Sequence, residues 1–156
     1  MENQSFTASY LVDQSPREAF DAFNNARGWW TENLEGDTRK LDDEFDVRFG
    51  DVHYSRQKLI EVIPDTKVVW LVTDSKLNFI EDKSEWTNTK IIFEVARQGN
   101  QTQVRFTHLG LVPQGECYGA CSNAWSDYIN NSLRKLITTG KGQPSPREGE
   151  KEPAKQ

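Results

Sequence analysis

Residues 116–140 read ECYGACSNAWSDYINNSLRKLITTG, and the period of this stretch decides the fold. At about 100° per residue, Tyr118, Cys121, Trp125, Ile129, Ser132 and Leu136 fall in one narrow stripe, opposite Asp127, Asn130 and Arg134. The pattern predicts one long amphipathic helix over 116–139. Gly140 is placed as its C-cap, with Arg134 and Lys135 near the negative end of the dipole. A helix with a single apolar stripe must lie on another layer, and the residues before it supply one.

Ile91, Phe93 and Val95 form an alternating strand, GNQ at 99–101 turns the chain, and Val104, Phe106 and His108 return in one phase. Further upstream, Phe45, Val47 and Phe49 lead through Gly50-Asp51 into an extended stretch from Tyr54 to Ile63. Pro64-Asp65 then turns into VVWLV at 68–72. Short turns between successive strands predict an antiparallel sheet. Residues 74–88 read as an irregular strand or a loop carrying Phe79 and Trp86. VVWLV is apolar in both phases, so Val69 and Leu71 call for cover from 74–88 or from a second subunit, which makes a homodimer one expectation.

The N-terminal part begins with a half-buried strand, Phe6 to Val12. It changes period at Ser15-Pro16-Arg17-Glu18, where a capping residue, a proline at the first helical position and a returning Glu predict a helix that buries Ala19, Phe20 and Phe23. Residues 24–40 read as a loop with a short helical turn, the indoles of Trp29 and Trp30 folded inward. The chain is thus α+β: an antiparallel sheet covered by a long C-terminal helix, with short helices after the first strand. A Rossmann domain is excluded by the missing G-x-G-x-x-G and missing βαβ alternation.

Size and charge bound the rest. A chain of 156 residues fits one domain, assigned to 1–140, followed by a tail at 141–156 whose Pro, Gly, Glu and Lys content predicts disorder. The 8 Phe, 5 Trp and 4 Tyr give an aromatic core. Residues 140–156 carry four basic and three acidic side chains, leaving 15 basic and 21 acidic in the folded part, so a phosphate backbone would be repelled and nucleic acid is not expected as a partner. Nothing resembles a signal peptide, a membrane span or a lipidation motif, and two cysteines are too few for a disulfide-built secreted scaffold. The reading is a cytoplasmic protein with no membrane partner.

Together EW at 85–86, FTHLGLVP at 106–113 and SLRKLITTGKGQP at 132–144, in this order of elements, resemble the bacterial START-like, SRPBCC-type helix-grip proteins related to the activator of the Hsp90 ATPase. GWWTENLEGDT, DVHYS and ECYGACSNAW point to an uncharacterised subgroup of them, and the resemblance spans roughly residues 4–144. It implies a curved antiparallel sheet wrapped around the C-terminal helix. For function it implies binding of a hydrophobic small molecule between the two, cyclase- or dehydratase-type catalysis on such a ligand, or stimulation of a chaperone ATPase.

The chemistry legible in the residues is sparse. Cys117, Cys121, His108 and His53 would have to converge to hold zinc, but C-x-x-x-C is not a zinc spacing, so no metal or other cofactor is expected. A redox pair is disfavoured too: β-carbons four apart on a helix lie about 5–6 Å from one another, so closing a disulfide would require unwinding the turn around Gly119. No Ser-His-Asp arrangement, nucleophile elbow or phosphate loop is present, and no catalytic residue is assigned. His108 shares the phase of Val104 and Phe106, so it is expected to be either a hydrogen-bonded core residue or a ligand contact; with a tyrosine or Glu85 it would be the acid or base of the enzyme alternative. The leading expectation is a cavity between sheet and helix for a small, largely apolar ligand, lined by Trp30, Tyr54, Trp70, Phe93, Phe106, His108, Tyr118, Cys121 and Trp125.

Overall fold

In the computed structural model, which describes residues 5–145, seven strands form one antiparallel sheet. The strands are β1 (Phe6–Val12), β2 (Leu34–Gly36), β3 (Glu44–Phe49), β4 (His53–Ile63), β5 (Lys67–Leu77), β6 (Lys90–Gln98) and β7 (Gln101–Leu109), in the order β1-β7-β6-β5-β4-β3-β2. Strands β3 to β7 are successive neighbours, as short turns dictate, whereas β1 pairs with β7, Phe6 opposite His108.

Two short helices, α1 (Pro16–Asn24) and α2 (Ala26–Trp29), connect β1 to β2. The start of α1 is the reciprocal cap expected at Ser15: the Glu18 amide donates to Ser15 Oγ at 3.1 Å, and the Ser15 amide donates to Glu18 Oε1 at 2.9 Å. Such caps are worth about 1 kcal/mol. Helix α1 buries Phe23 at the centre of the core, where its ring stacks on Trp70 at 4.8 Å and on Phe93 at 4.1 Å. The Trp29 and Trp30 rings fold inward onto this group, and the Trp29 indole N–H donates to the Phe23 carbonyl at 2.9 Å.

The C-terminal helix is continuous but not uniform. It runs as α3 (Tyr118–Asp127), a π-helical segment (Tyr128–Leu133) and α4 (Arg134–Thr139), closed by Gly140 at φ +87°. Its buried residues include Cys117, Cys121, Trp125, Ile129, Leu133 and Ile137, spaced four apart. In an ideal α-helix that spacing drifts about 40° per step. The π segment takes in an extra residue and returns the stripe to the sheet. The predicted stripe is correct through Ile129 and Ser132, after which Leu133 and Ile137 are buried and Leu136 is only half-buried.

On the outer face of VVWLV, Val69 is buried, in register between Glu61 and Ile92, while Leu71 is half-buried, in register between Lys58 and Lys90. Residues 74–77 continue β5, and the loop after it faces inward through Trp86. At the C-terminus, residues 141–145 of the expected disordered tail pack back on the domain. Ser145 bridges Thr31, its carbonyl accepts from the Glu32 amide at 2.8 Å, and its amide donates to the Trp30 carbonyl at 3.1 Å. Residues 146–156 lie outside the described residues.

Candidate functional site

Between the helix and the end of the sheet at the β3–β4 turn lies an apolar pocket of about 270 Å³. The helix contributes Ala120, Cys121, Ala124, Trp125 and Tyr128; β3 and the start of β4 contribute Phe49, Val52 and His53; Trp30, Phe79 and Trp86 complete the wall. The rings of Trp86 and Trp125 are near parallel, 13° apart with centroids at 5.8 Å, and Trp30 packs on Trp125 at 5.0 Å. At the rim, the Asn78 amide donates to the Val52 carbonyl at 2.9 Å and the Asn78 side chain donates to the Asp51 carbonyl at 2.6 Å. These bonds tie the β3–β4 turn to the loop that carries the exposed Phe79.

Of the nine residues the sequence suggested, Trp30, Cys121 and Trp125 line this pocket. Trp70, Phe93 and Phe106 are filled core, packed against Phe23 or Trp125. Tyr118 is half-buried at the helix start. Tyr54 points the other way, under the Arg48 guanidinium on the outer face, because the inner phase of β4 is His53, Ser55, Gln57 and Leu59. A hydrophobic alternation reading picks the tyrosine and misses His53. Phe49, Val52, Phe79, Trp86, Ala120, Ala124 and Tyr128 were missed as well; for Ala124 and Tyr128 the available signal was their place three residues after Cys121 and Trp125 respectively.

His108 lies behind the pocket wall, fully buried, with both ring nitrogens engaged. The Trp125 indole N–H donates to Nδ1 at 3.0 Å, and Nε2 meets Thr89 Oγ1 at 2.8 Å. Since an indole can only donate, Nδ1 carries the lone pair and Nε2 the proton; Nε2 donates to Thr89, whose hydroxyl donates to the Trp86 carbonyl at 2.6 Å. Burial lowers the His108 pKa to about 3, with repulsion from His53 adding to the effect. His108 is therefore the satisfied core histidine among the two expectations. Burial likewise lowers His53 to about 4.

Glu85 is also committed. Its two oxygens accept from the amides of Glu116 at 2.9 Å and Cys117 at 3.0 Å, capping the helix start with a negative charge. The sulfur atoms of Cys117 and Cys121 are in bonding contact, against the expectation. Cys117 is the N-cap, and its Cα lies 5.5 Å from that of Cys121, within the usual disulfide span, while the Cys121 amide still reaches the Cys117 carbonyl at 2.8 Å. Among the described residues no group of three His, Cys, Asp or Glu is placed to hold a metal ion, and no helix is long and apolar enough to cross a membrane.

Solved structures share this fold. The Aha1 dimer from Colwellia psychrerythraea matches with a TM-score of 0.70 at 24% identity, over 91% of this chain and 100% of that one. Protein SSP2350 from Staphylococcus saprophyticus matches at 0.66 and 13% identity, over 92% and 98%. The chain has the helix-grip fold. DynU16, a putative protein of the dynemicin biosynthetic locus, matches at 0.64 and 14% identity, over 90% of this chain and 49% of that one. No protein-family model matches this helix-grip chain, and no curated protein does.

Proposed function

We propose that this chain is a cytoplasmic binding protein for a small, largely apolar ligand, aromatic or lipid-like, held between sheet and helix. The observation that carries the reading is the pocket of about 270 Å³ walled by Trp30, Trp86, Trp125, Phe49 and Tyr128, with few polar groups among its lining residues. Flat indole faces offer large apolar contact at low entropic loss. Native mass spectrometry of freshly purified protein tests it: a co-purifying small molecule of constant mass supports binding. An unliganded mass, together with no uptake of any apolar probe, counts against it.

The enzyme alternative, a cyclase- or dehydratase-type reaction using His108, is weakened because both imidazole nitrogens are spent on Trp125 and Thr89 and neither oxygen of Glu85 is free of the helix start. A second reading, protein binding of the co-chaperone kind, draws on the likeness to the Aha1 dimer. Homodimerisation belongs with it. Pull-down with a chaperone ATPase and sedimentation of the full chain test these two.

A further inference from the structure

The inner face of β4 is unusual for a sheet that covers a core. Its successive inward residues from the pocket are His53, Ser55 and Gln57, and both Ser55 and Gln57 are fully buried. His53 lines the pocket, and its Nε2 pairs with Ser55 Oγ at 3.0 Å. The Gln57 amide has neither its oxygen nor its nitrogen paired, and the indole N–H of Trp86, in the pocket wall, is buried and unpaired too. Leaving such groups unpaired costs about 1–3 kcal/mol each.

Charge is absent from the same wall. Among the described residues no Lys, Arg, Asp or Glu lines the pocket, and the Tyr128 hydroxyl is engaged with Ser145 Oγ at 2.6 Å. A bound carboxylate would have no cation to meet, and a bound ammonium no anion.

Resting on the binding reading above, we propose that the pocket selects an uncharged amphipathic ligand: a flat apolar body against the indoles and one neutral hydrogen-bonding end, a hydroxyl, carbonyl or amide, directed at His53 and the Trp86 indole N–H. His53 in the pocket wall supplies the first contact, Ser55 holds its ring through Nε2, and the buried Trp86 indole N–H in the same wall is the further partner.

The test compares four probes with one body, namely naphthalene, 2-naphthol, 2-naphthoate and 2-naphthylmethylammonium, by calorimetry at neutral pH on the full chain. The expected result is 2-naphthol binding at least about tenfold more tightly than either charged probe, about 1.4 kcal/mol. In His53→Phe the ratio of naphthol to naphthalene affinity should fall towards one. Trp86→Phe, which keeps an aromatic wall but removes the indole N–H, should lower that ratio as well. Naphthoate or the ammonium binding as tightly as naphthol, or a naphthol preference that survives both variants, overturns the proposal and leaves the binding reading standing. If no probe binds, both fall together.

Discussion

The indole N–H of Trp125 on the C-terminal helix donates to Nδ1 of His108 on β7 at 3.0 Å, joining the two layers of the fold behind the pocket. The bond fixes one neutral tautomer of His108 and passes through Thr89 to the backbone of Trp86, so two of the three pocket indoles are held by one buried chain of hydrogen bonds. A satisfied buried network of this kind rigidifies its surroundings.

Replacing His108→Ala should therefore destabilise the fold by about 2–4 kcal/mol, since it opens a cavity and strands the Trp125 donor. Urea denaturation followed by tryptophan fluorescence measures this. A loss below about 0.5 kcal/mol would mean that the network contributes nothing to stability.

Acid should weaken the fold over a defined window. In the unfolded chain both histidines titrate near their ordinary value of 6.5, whereas in the folded protein His53 and His108 stay neutral to about 4 and about 3. Between those limits the unfolded state binds more protons. Stability should be flat in these two groups above pH 6.5 and fall as pH drops towards 4, by about 1.4 kcal/mol per pH unit for each histidine. Denaturation midpoints at pH 7, 6 and 5 check the slope; replacing both histidines should flatten it, and an unchanged slope would contradict the assignment.

The segment 141–145 holds the loop after Trp30 and the Tyr128 hydroxyl through Ser145. Ending the chain after Gly140 should cost about 1.5–4.5 kcal/mol relative to a chain ended after Ser145, for three hydrogen bonds at roughly 0.5–1.5 kcal/mol each. Hydrogen exchange should show the Glu32 amide losing protection. Equal stability and protection in the two chains would show that the segment does not brace the pocket.

Glu85 caps the helix start from another part of the chain, a contact that sequence spacing does not reveal. Glu85→Ala should lose about 1–2 kcal/mol and Glu85→Gln part of that, since one oxygen acceptor survives. Thermal melts of the three proteins should rank wild type, Gln, Ala; any other order would argue against a capping role.

What the sequence made legible follows from what periodicity encodes. The Ser15 cap, the alternating strands, the inward Trp29–Trp30 pair and most of the helix stripe are local patterns, and the structure repeats them. Depth is not local. Trp70, Phe93 and Phe106 share a face with pocket residues but lie under α1 or the helix, and alternation alone cannot separate filled core from cavity wall. On β4 the inner residues are polar and Tyr54 faces out, so the usual rule inverts and His53 is hidden from it. The Cys117–Cys121 contact joins residues four apart across the first turn, where ideal helix spacing predicts separated β-carbons.

The most direct test of the account fills the pocket. Ala124 lines it from an exposed helix position, so Ala124→Trp should place an indole in the cavity without disturbing the core. Titration of wild type and variant with 2-naphthol, read by calorimetry, should give saturable one-to-one binding in the first and at least about a tenfold loss in the second, with the melting temperature retained. Equal binding by the two proteins, or no saturable binding by wild type, would contradict a ligand site between the sheet and its helix.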